Sequence, residues 1–264
     1  MQRDVTSERR EAEVQRRLYL LYHELRPSGS SYSYVVDTEA FERHLELYAA
    51  LRKRPDGELC PEITFDDGHG SNYQYALPRL EAKNLKAHFF ITVGWTGVRA
   101  GYMGWEELHA LRASGQIIGA HGWSHTLLTH CNSRQLDMEL RVARLTLEEK
   151  LGVAVTTMSL PGGRYNSKVL TACRAAGYTQ VYTSAPQAVT LPVGGLIGRL
   201  NIRGDMTVAW IESVLERNSP ILRSLGRQYR AKEAAKRMLG DKVYAKLWSL
   251  LNHQEKDEIE AVAE

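Results

Sequence analysis

Apolar positions in this chain follow two spacings that alternate along it. Short β-prone runs at 17–23, 62–65 and 116–120 are typical of buried strands. Between such runs, apolar residues recur at every third or fourth position, which predicts amphipathic helices. The helix predicted after Asp37 has its apolar face at Phe41, Leu45, Tyr48 and Leu51.

The same alternation continues toward the C-terminus and defines the fold class. We predict further strands over 87–93, 156–160 and 180–183, and helices over 73–83, 104–114, 136–151 and 167–176. Strands that alternate with helices through short connections form a parallel sheet, which can close into an α/β barrel. We therefore expect one barrel domain over 1–205, starting with a charged arm over 1–17, and a C-terminal helical extension over 206–264.

Composition narrows the class of protein. Of the 264 residues, 43% are hydrophobic and 25% are charged, which is ordinary for a globular protein. A net charge of +3 is too small to indicate nucleic-acid binding. Cys60, Cys131 and Cys173 are widely spaced, so they predict neither a disulfide framework nor a zinc ribbon.

Two acidic residues, Asp66 and Asp67, directly follow the strand over 62–65. They repel each other, so both stay ionised only if a cation or hydrogen-bond donors lie nearby. His121 and His125 follow the strand over 116–120; they are about 6 Å apart if this segment curls, against about 13 Å in a strand. The carboxyl ends of parallel barrel strands share one rim, so these side chains can meet there. Asp, His and His with an open position suit a catalytic zinc ion or a similar divalent metal.

The sequences TFDDG at 64–68 and HGWSH at 121–125 resemble the first two motifs of the NodB-homology polysaccharide deacetylases, carbohydrate esterase family 4. The resemblance covers most of the chain and implies a distorted (β/α) TIM-like barrel with fewer than eight full strands. It also implies that Asp66 is the catalytic base. Asp67, His121 and His125 would bind one divalent metal ion, zinc first, with cobalt, nickel or manganese as alternatives.

The activity implied by the resemblance is removal of acetyl groups from an N- or O-acetylated carbohydrate, such as a polysaccharide, an oligosaccharide or a lipid-linked glycan precursor. A water molecule activated at the metal would be the nucleophile, and Asp66 would accept its proton. Two alternatives stay open. One is a non-catalytic carbohydrate-binding or scaffold protein on the same barrel, which metal content would separate. The other is a metal-dependent hydrolase of a non-carbohydrate amide, which substrate screening would separate.

Two positions near the proposed site depart from the family's pattern. The third motif normally reads Arg-x-Pro, but Ser159 stands where that arginine would be. Arg164 lies close enough in sequence to supply the positive charge from another direction. Gly122 takes the place of the usual Ser or Thr in the second motif.

The fifth motif is a larger departure. It normally reads Leu-x-His, and the histidine is the family's general acid, but residues 196–202 contain Arg199 and no histidine. We expect the proton for the leaving group to come either from Asp66 or from another residue such as His130. His23 ends the first predicted strand and could face the same rim, although we favour its interpretation as a packed core residue.

Aromatic faces bind sugars, and three aromatic residues, Trp95, Trp123 and Tyr165, lie in or beside the predicted rim loops. Trp123 is the best candidate because it stands between the two histidines. The predicted substrate residues are therefore Trp123, Arg164 and Tyr165, and for any of them packing alone is the alternative.

Residues 221–251 predict two amphipathic helices joined at Gly240. From 221 to 250, eight Lys or Arg stand against two acidic residues, a local charge of +6. Such helices either pack on the barrel with a solvated basic face or contact an anionic membrane surface. The charged N-terminal arm and the lack of a long apolar run predict a cytoplasmic protein, with peripheral membrane association as a further possibility.

Overall fold

A computed structural model describes residues 16–28, 30–53, 59–190 and 195–239. The strands in this part of the chain are β1 (Arg16–Tyr22), β2 (Glu24–Arg26), β3 (Val35–Asp37), β4 (Cys60–Phe65), β5 (Ala87–Ile91), β6 (Ile117–Ala120), β7 (Thr157–Ser159), β8 (Gln180–Tyr182), β9 (Val189–Thr190), β10 (Gly195–Ile197) and β11 (Arg199–Asn201). The α-helices are α1 (Thr38–Arg52), α2 (Leu77–Ala82), α3 (Trp105–Ala113), α4 (Ser133–Asp137), α5 (Ala143–Leu151), α6 (Ser167–Ala175), α7 (Val208–Leu215) and α8 (Pro220–Leu239).

The main sheet is a distorted barrel of parallel strands in the order β10-β8-β7-β6-β5-β4-β1-β11. Only Gly198 separates β10 from β11, so the two are halves of one bent run. One half pairs with β8 and the other with β1, which brings the two edges of the sheet together. A side chain at Gly198 would start 2.4 Å from the carbonyl oxygen of Ala185, so the bend requires glycine. The predicted barrel with fewer than eight full strands is confirmed.

Along each strand, successive side chains point alternately into the barrel and outward to the surrounding helices. Inside, four side chains form a small apolar cluster: Tyr19, Phe90, Tyr182 and Ile197. Gly119 makes room for it, because an added Cβ there would lie 2.5 Å from the ring of Phe90. The larger core lies between sheet and helices, and it buries the apolar face predicted for α1, namely Phe41, Leu45, Tyr48 and Leu51.

Helix ends follow the local sequence. The Asp37 carboxylate accepts hydrogen bonds from the backbone N–H groups of Glu39 and Ala40 at the start of α1. Gly152, with φ of 65°, ends α5 in the left-handed conformation, as expected for a glycine at this place.

The helix predicted over 136–151 differs from a continuous α-helix. A π-helical turn, Met138–Val142, lies between α4 and α5, and a second one, Asn72–Ala76, precedes α2. A π turn accommodates one extra residue, which the spacing of apolar residues does not reveal. Glu139 lies in the first of these turns, and its side chain points toward the histidine segment.

In the part of the chain that the structure describes, two helices follow the barrel. α7 buries Ile211, Val214 and Leu215, and α8 confirms the helix predicted after residue 220. The second predicted helix, after Gly240, and the arm over 1–15 lie outside the described residues. Within the described part, no helix is both long and apolar enough to cross a membrane. The division at 205 and the peripheral membrane contact stay predictions.

Candidate active site

Asp67, His121 and His125 converge at the carboxyl-end rim of the barrel. Their potential ligand atoms all lie within 4.8 Å of one another. Asp67 Oδ1 is 3.2 Å from Nε2 of His121 and 3.3 Å from Nε2 of His125. The structure thus brings together the three residues predicted as metal ligands, two of which are 54 and 58 positions beyond the first.

Backbone turns after β4 and β6 produce this convergence. Asp67, with φ of 73°, and His125, with φ of 62°, are both left-handed although neither is glycine. Such conformations are uncommon and concentrate at functional sites. At the start of the second turn, the N–H of His121 donates to the carbonyl of Ile91 at 2.8 Å. The rings of His121 and His125 lie 5.0 Å apart, so the histidine segment curls, as predicted, instead of continuing the strand.

The carbonyl of Ser159 orients His121. His121 Nδ1 lies 2.9 Å from this oxygen, which can only accept, so the hydrogen is on Nδ1. When the imidazole is neutral, Nε2 therefore keeps the lone pair that a metal ion would bind, and this atom faces Asp67. In other proteins, histidines that bind a metal through one ring nitrogen are oriented in this way by a hydrogen bond from the other ring nitrogen.

Asp66 is buried beside this triad and is held by Arg199. Two parallel hydrogen bonds of 2.7 Å join the guanidinium to the two carboxylate oxygens. The hydroxyl of Ser159 donates to Asp66 Oδ2 at 2.9 Å and accepts from Arg199 at 2.7 Å. Arg199 also lies over the rings of Phe90 and Tyr182, with its side chain 0% exposed. A fully buried arginine is tolerated only with such partners.

The charges of the site set the pKa values of both acids. Burial by itself would raise the pKa of Asp66, but the charges of Arg199 and His121 outweigh it, and the pKa is lowered. Burial likewise opposes ionisation of Asp67, and the imidazoles of His121 and His125 outweigh it, so the pKa of Asp67 lies well below its usual value. Both carboxylates are therefore ionised at neutral pH.

Arg199 supplies positive charge to Asp66, and the contribution expected of Arg164 stays a prediction. The charge reaches Asp66 from β11, the segment of the fifth motif, while Ser159 on β7 occupies the family's arginine position with a hydroxyl. Arg164 follows the short 3₁₀ helix Pro161–Gly163 and is half-buried. The sequence signal for Arg199 was a charged residue within the otherwise mostly apolar segment 196–202.

The predicted aromatic residues occupy different surroundings. Trp123 is half-buried, and its indole Nε1 would be 2.9 Å from a Cβ added at Gly94. Tyr165 is 36% exposed. Trp95 lies 5.3 Å from the ring of His125. The guanidinium of Arg99 lies over the Trp95 ring, and the ring of Tyr102 meets it edge-on. The substrate roles of Trp123, Arg164 and Tyr165 stay predictions.

His23 packs against a neighbouring ring, as favoured from the sequence, and it also lies near both acids of the site. Burial lowers its pKa, while the charges of Asp67 and Asp66 act on it in the opposite direction. Its ring packs at 5.1 Å against that of Tyr34. His130, in contrast, is exposed at the end of the 3₁₀ helix Leu128–His130.

A comparison with protein families matches residues 53–181 to the family described as polysaccharide deacetylase. The match covers just under half of the 264 residues, and the resemblance predicted from the sequence is confirmed. A putative polysaccharide deacetylase of Bacillus subtilis, YxkH, is 28% identical over 191 residues, which are 66% of this chain and 67% of the relative. Chitin deacetylase 1 of Cryptococcus neoformans is also 28% identical, over 127 residues, which are 46% of this chain and 26% of that protein. The predicted enzyme class, a deacetylase-type hydrolase of carbon–nitrogen or ester bonds, is confirmed.

Solved structures share the fold. The deacetylase PplD of Streptococcus pyogenes, solved with acetate, has a TM-score of 0.68 at 19% identity, covering 77% of this chain and 99% of that one. IcaB from Ammonifex degensii has a TM-score of 0.61 at 21% identity, covering 76% of this chain and 96% of that one. Both structures are less than 25% identical to this chain, so the similarity concerns the fold.

Proposed function

We propose that this chain is a metal-dependent hydrolase that removes acetyl groups from an N- or O-acetylated carbohydrate. The observation that carries the proposal is Asp67 Oδ1, which is buried and has no hydrogen-bond partner among the described residues. A buried carboxylate oxygen without a partner is costly unless a cation binds it. The family match supports the acetylated carbohydrate as substrate, since one relative is a chitin deacetylase.

The donor set fits a zinc ion or a similar divalent metal. Atoms bound about 2.1 Å from a tetrahedral ion lie about 3.4 Å from one another. The separations of 3.2 and 3.3 Å around Asp67 Oδ1 match this value, and the ligand nitrogens of the two histidines lie within 4.8 Å of each other. Asp67, His121 and His125 would hold the ion, which supplies Lewis acidity that polarises an acetyl carbonyl and makes water more acidic.

Asp66 is the base in this proposal. Its Oδ2 lies 3.8 Å from Nε2 of His121, so it borders the metal position without belonging to the triad. Arg199 keeps Asp66 ionised and ready to accept a proton from the attacking water. The water oxygen forms a bond to the acetyl carbon, the carbon–nitrogen or carbon–oxygen bond breaks, and acetate and a free amine or hydroxyl leave. Asp66 returns the proton to the leaving group.

Trp95 and Tyr102 support a carbohydrate on the side of His125. Their rings meet edge-on, and the guanidinium carbon of Arg99 lies 4.3 Å from the ring centre of Trp95 and 4.9 Å from that of Tyr102. Tyr102 also lines a cleft of about 570 Å³ together with Glu24 and His69. This volume is within the range of small-molecule sites, about 300–1,000 Å³.

The retained ligand geometry favours an enzyme over the scaffold alternative. A scaffold would have no need for a buried acid between two imidazoles, or for a second acid held ionised next to it. A non-carbohydrate amide as substrate is separated by its products in the same assay.

The test is acetate release with metal control. Protein stripped with a chelator and reloaded with Zn²⁺ or Co²⁺ is incubated with N-acetylglucosamine oligomers, an O-acetylated xylan and a simple acetylated amine. We expect acetate from at least one carbohydrate and only after reloading. Equal acetate release by stripped and reloaded protein would overturn the metal requirement, and release from the simple amine alone would overturn the carbohydrate assignment.

A further inference from the structure

The segment with both predicted histidine ligands is held in a backbone conformation that the chain does not adopt readily. Gly122, with φ of 85°, and His125, with φ of 62°, are both left-handed. For the non-glycine His125 this conformation is unfavourable, so neighbouring groups must stabilise it. We call residues 121–125 the histidine loop.

One side of the histidine loop is fixed by the backbone after β5. The N–H of Val93 donates to the carbonyl of Gly122 at 3.1 Å, and the N–H of Gly94 donates to the carbonyl of Trp123 at 2.8 Å. These bonds use the loop's carbonyls and leave its N–H groups facing the other way. Gly94 allows the close approach, since a Cβ there would lie 2.6 Å from the Trp123 carbonyl oxygen.

The other side is fixed by a single buried carboxylate, that of Glu139. Its Oε2 accepts from the N–H groups of Trp123 at 2.7 Å and Ser124 at 3.0 Å, and its Oε1 accepts from the Ser124 hydroxyl at 2.5 Å. Glu139 is 5% exposed. All three donors belong to the two residues that precede His125. The carboxylate thus accepts the hydrogen bonds of these two N–H groups at the point where the chain turns toward Asp67.

The π turn and Gly122 are matched to Glu139. Glu139 lies in the π turn Met138–Val142, between helices that keep Leu136 and Ala143 in the core. A Cβ at Gly122 would lie 2.7 Å from Glu139 Oε2, so the carboxylate occupies the space that a side chain at 122 would need. Glycine fits this position for two reasons: its φ is positive, and any larger residue would require the carboxylate to move.

We propose that Glu139 is a positioning residue for the metal site. Among the described residues its carboxylate bonds only to Trp123 and Ser124, and it acts by holding the histidine loop so that Nε2 of His121 and of His125 both face Asp67. The part of this inference that concerns metal binding rests on the proposed function. The part that concerns the conformation of the histidine loop does not depend on the proposed function.

Two measurements on Glu139→Gln test the proposal. The first is Co²⁺ affinity, by competition with a chromophoric chelator, together with the visible absorption spectrum of bound Co²⁺. The second is amide hydrogen exchange of a peptide that covers 121–125 in the metal-free protein. Glu148→Gln is the matched control, because Glu148 also accepts from a backbone N–H, that of Val155, but lies away from the loop.

We expect Glu139→Gln to weaken Co²⁺ binding about 10- to 100-fold, the usual effect of losing an outer-shell partner, and to change the Co²⁺ spectrum. Exchange in 121–125 should become at least several-fold faster, whereas Glu148→Gln should change neither property of the loop. Unchanged exchange in 121–125 would overturn the role of Glu139. If the parent protein bound no Co²⁺, the proposed function would fail, and the exchange measurement would still decide the role of Glu139.

A milder variant covers the case in which Glu139→Gln does not fold. Ser124→Ala removes only the donor to Oε1, and Ser124 is exposed. We expect a smaller loss of Co²⁺ affinity and faster exchange confined to the loop. A Ser124→Ala protein with the parent's Co²⁺ affinity and the parent's exchange rates would contradict the proposal.

Discussion

Arg199 and Asp66 are joined by two parallel hydrogen bonds of 2.7 Å although 133 positions separate them in sequence. The pair links the bent last strand of the barrel to the strand that presents the proposed base. Because both side chains are almost completely buried, each depends on the other for a charge partner.

Replacement of Arg199 by Met should therefore be severe. Loss of one partner of a buried ion pair costs about 3–5 kcal/mol, and Asp66 without Arg199 would keep the burial that raises its pKa and lose the charge that lowers it. We expect a large loss of stability in urea unfolding and of acetate release. Arg112→Met, at an exposed position of α3, is the matched control, with an expected cost below about 1 kcal/mol. Equal losses in the two variants would contradict the assignment of Arg199.

Exchange of the two partners of Asp66 offers a sharper test. Ser159 is 0% exposed and its hydroxyl touches both Asp66 and Arg199, so an arginine at 159 would reach the same carboxylate once residue 199 is small. We predict that Arg199→Ser with Ser159→Arg recovers part of the acetate release lost by Arg199→Ser alone. A double variant no more active than the single one would show that the charge must come from the last strand.

His44 should make stability depend on pH. It is buried and accepts or donates a hydrogen bond with Tyr22 at 3.1 Å, and burial lowers its pKa to about 4, against about 6.5 in the unfolded chain. Between these values the unfolded state binds more protons, so stability falls as the pH decreases from about 6.5 to about 4, by up to about 3 kcal/mol.

The measurement is urea unfolding of the parent and His44→Asn between pH 7 and pH 4. Asn offers an amide oxygen near the place of Nδ1 and does not titrate, so the variant should lose less stability over this interval. His109→Gln, at an exposed position of α3, is the control and should follow the parent. Parallel curves for the parent and His44→Asn would contradict the prediction.

The sequence was sufficient for the parts of this fold that repeat. Alternating strand and helix spacings gave the barrel, and the position of Asp66 and of His121 directly after strands placed them on one rim. The curl of the histidine loop was predicted from the requirement that His121 and His125 can bind one metal ion, since a strand would have separated the two residues.

What the sequence could not provide are the partners set by tertiary packing. A charged residue at 199 is visible among apolar neighbours, but its carboxylate partner depends on the closure of the barrel. The π turn at Glu139 leaves the apolar spacing of its helix almost unchanged, so neither the turn nor the carboxylate's direction is evident. The contact of Trp95 with His125 likewise depends on how two rim loops meet.

The basic C-terminal region carries a separate prediction. Helix α8 is described to residue 239, and Lys232 and Lys236 lie on it. If it contacts anionic lipid, each Lys or Arg contributes about 1 kcal/mol near the surface. Flotation of the full chain with vesicles that contain phosphatidylserine should then be lost in Lys232→Glu with Lys236→Glu, and be absent with neutral vesicles. No flotation of the parent at low salt would exclude this contact.

Asp66→Asn tests the central claim most directly, because it separates catalysis from metal binding. The variant protein is reloaded with Zn²⁺, its metal content is measured, and acetate release is followed on the carbohydrate that the parent hydrolyses; His125→Ala is assayed in parallel. We predict that Asp66→Asn retains the metal but loses about 10²–10⁴-fold in turnover, as expected for removal of a general base, while His125→Ala loses the metal as well. Turnover of Asp66→Asn within twofold of the parent, or full metal occupancy in His125→Ala, would contradict the account.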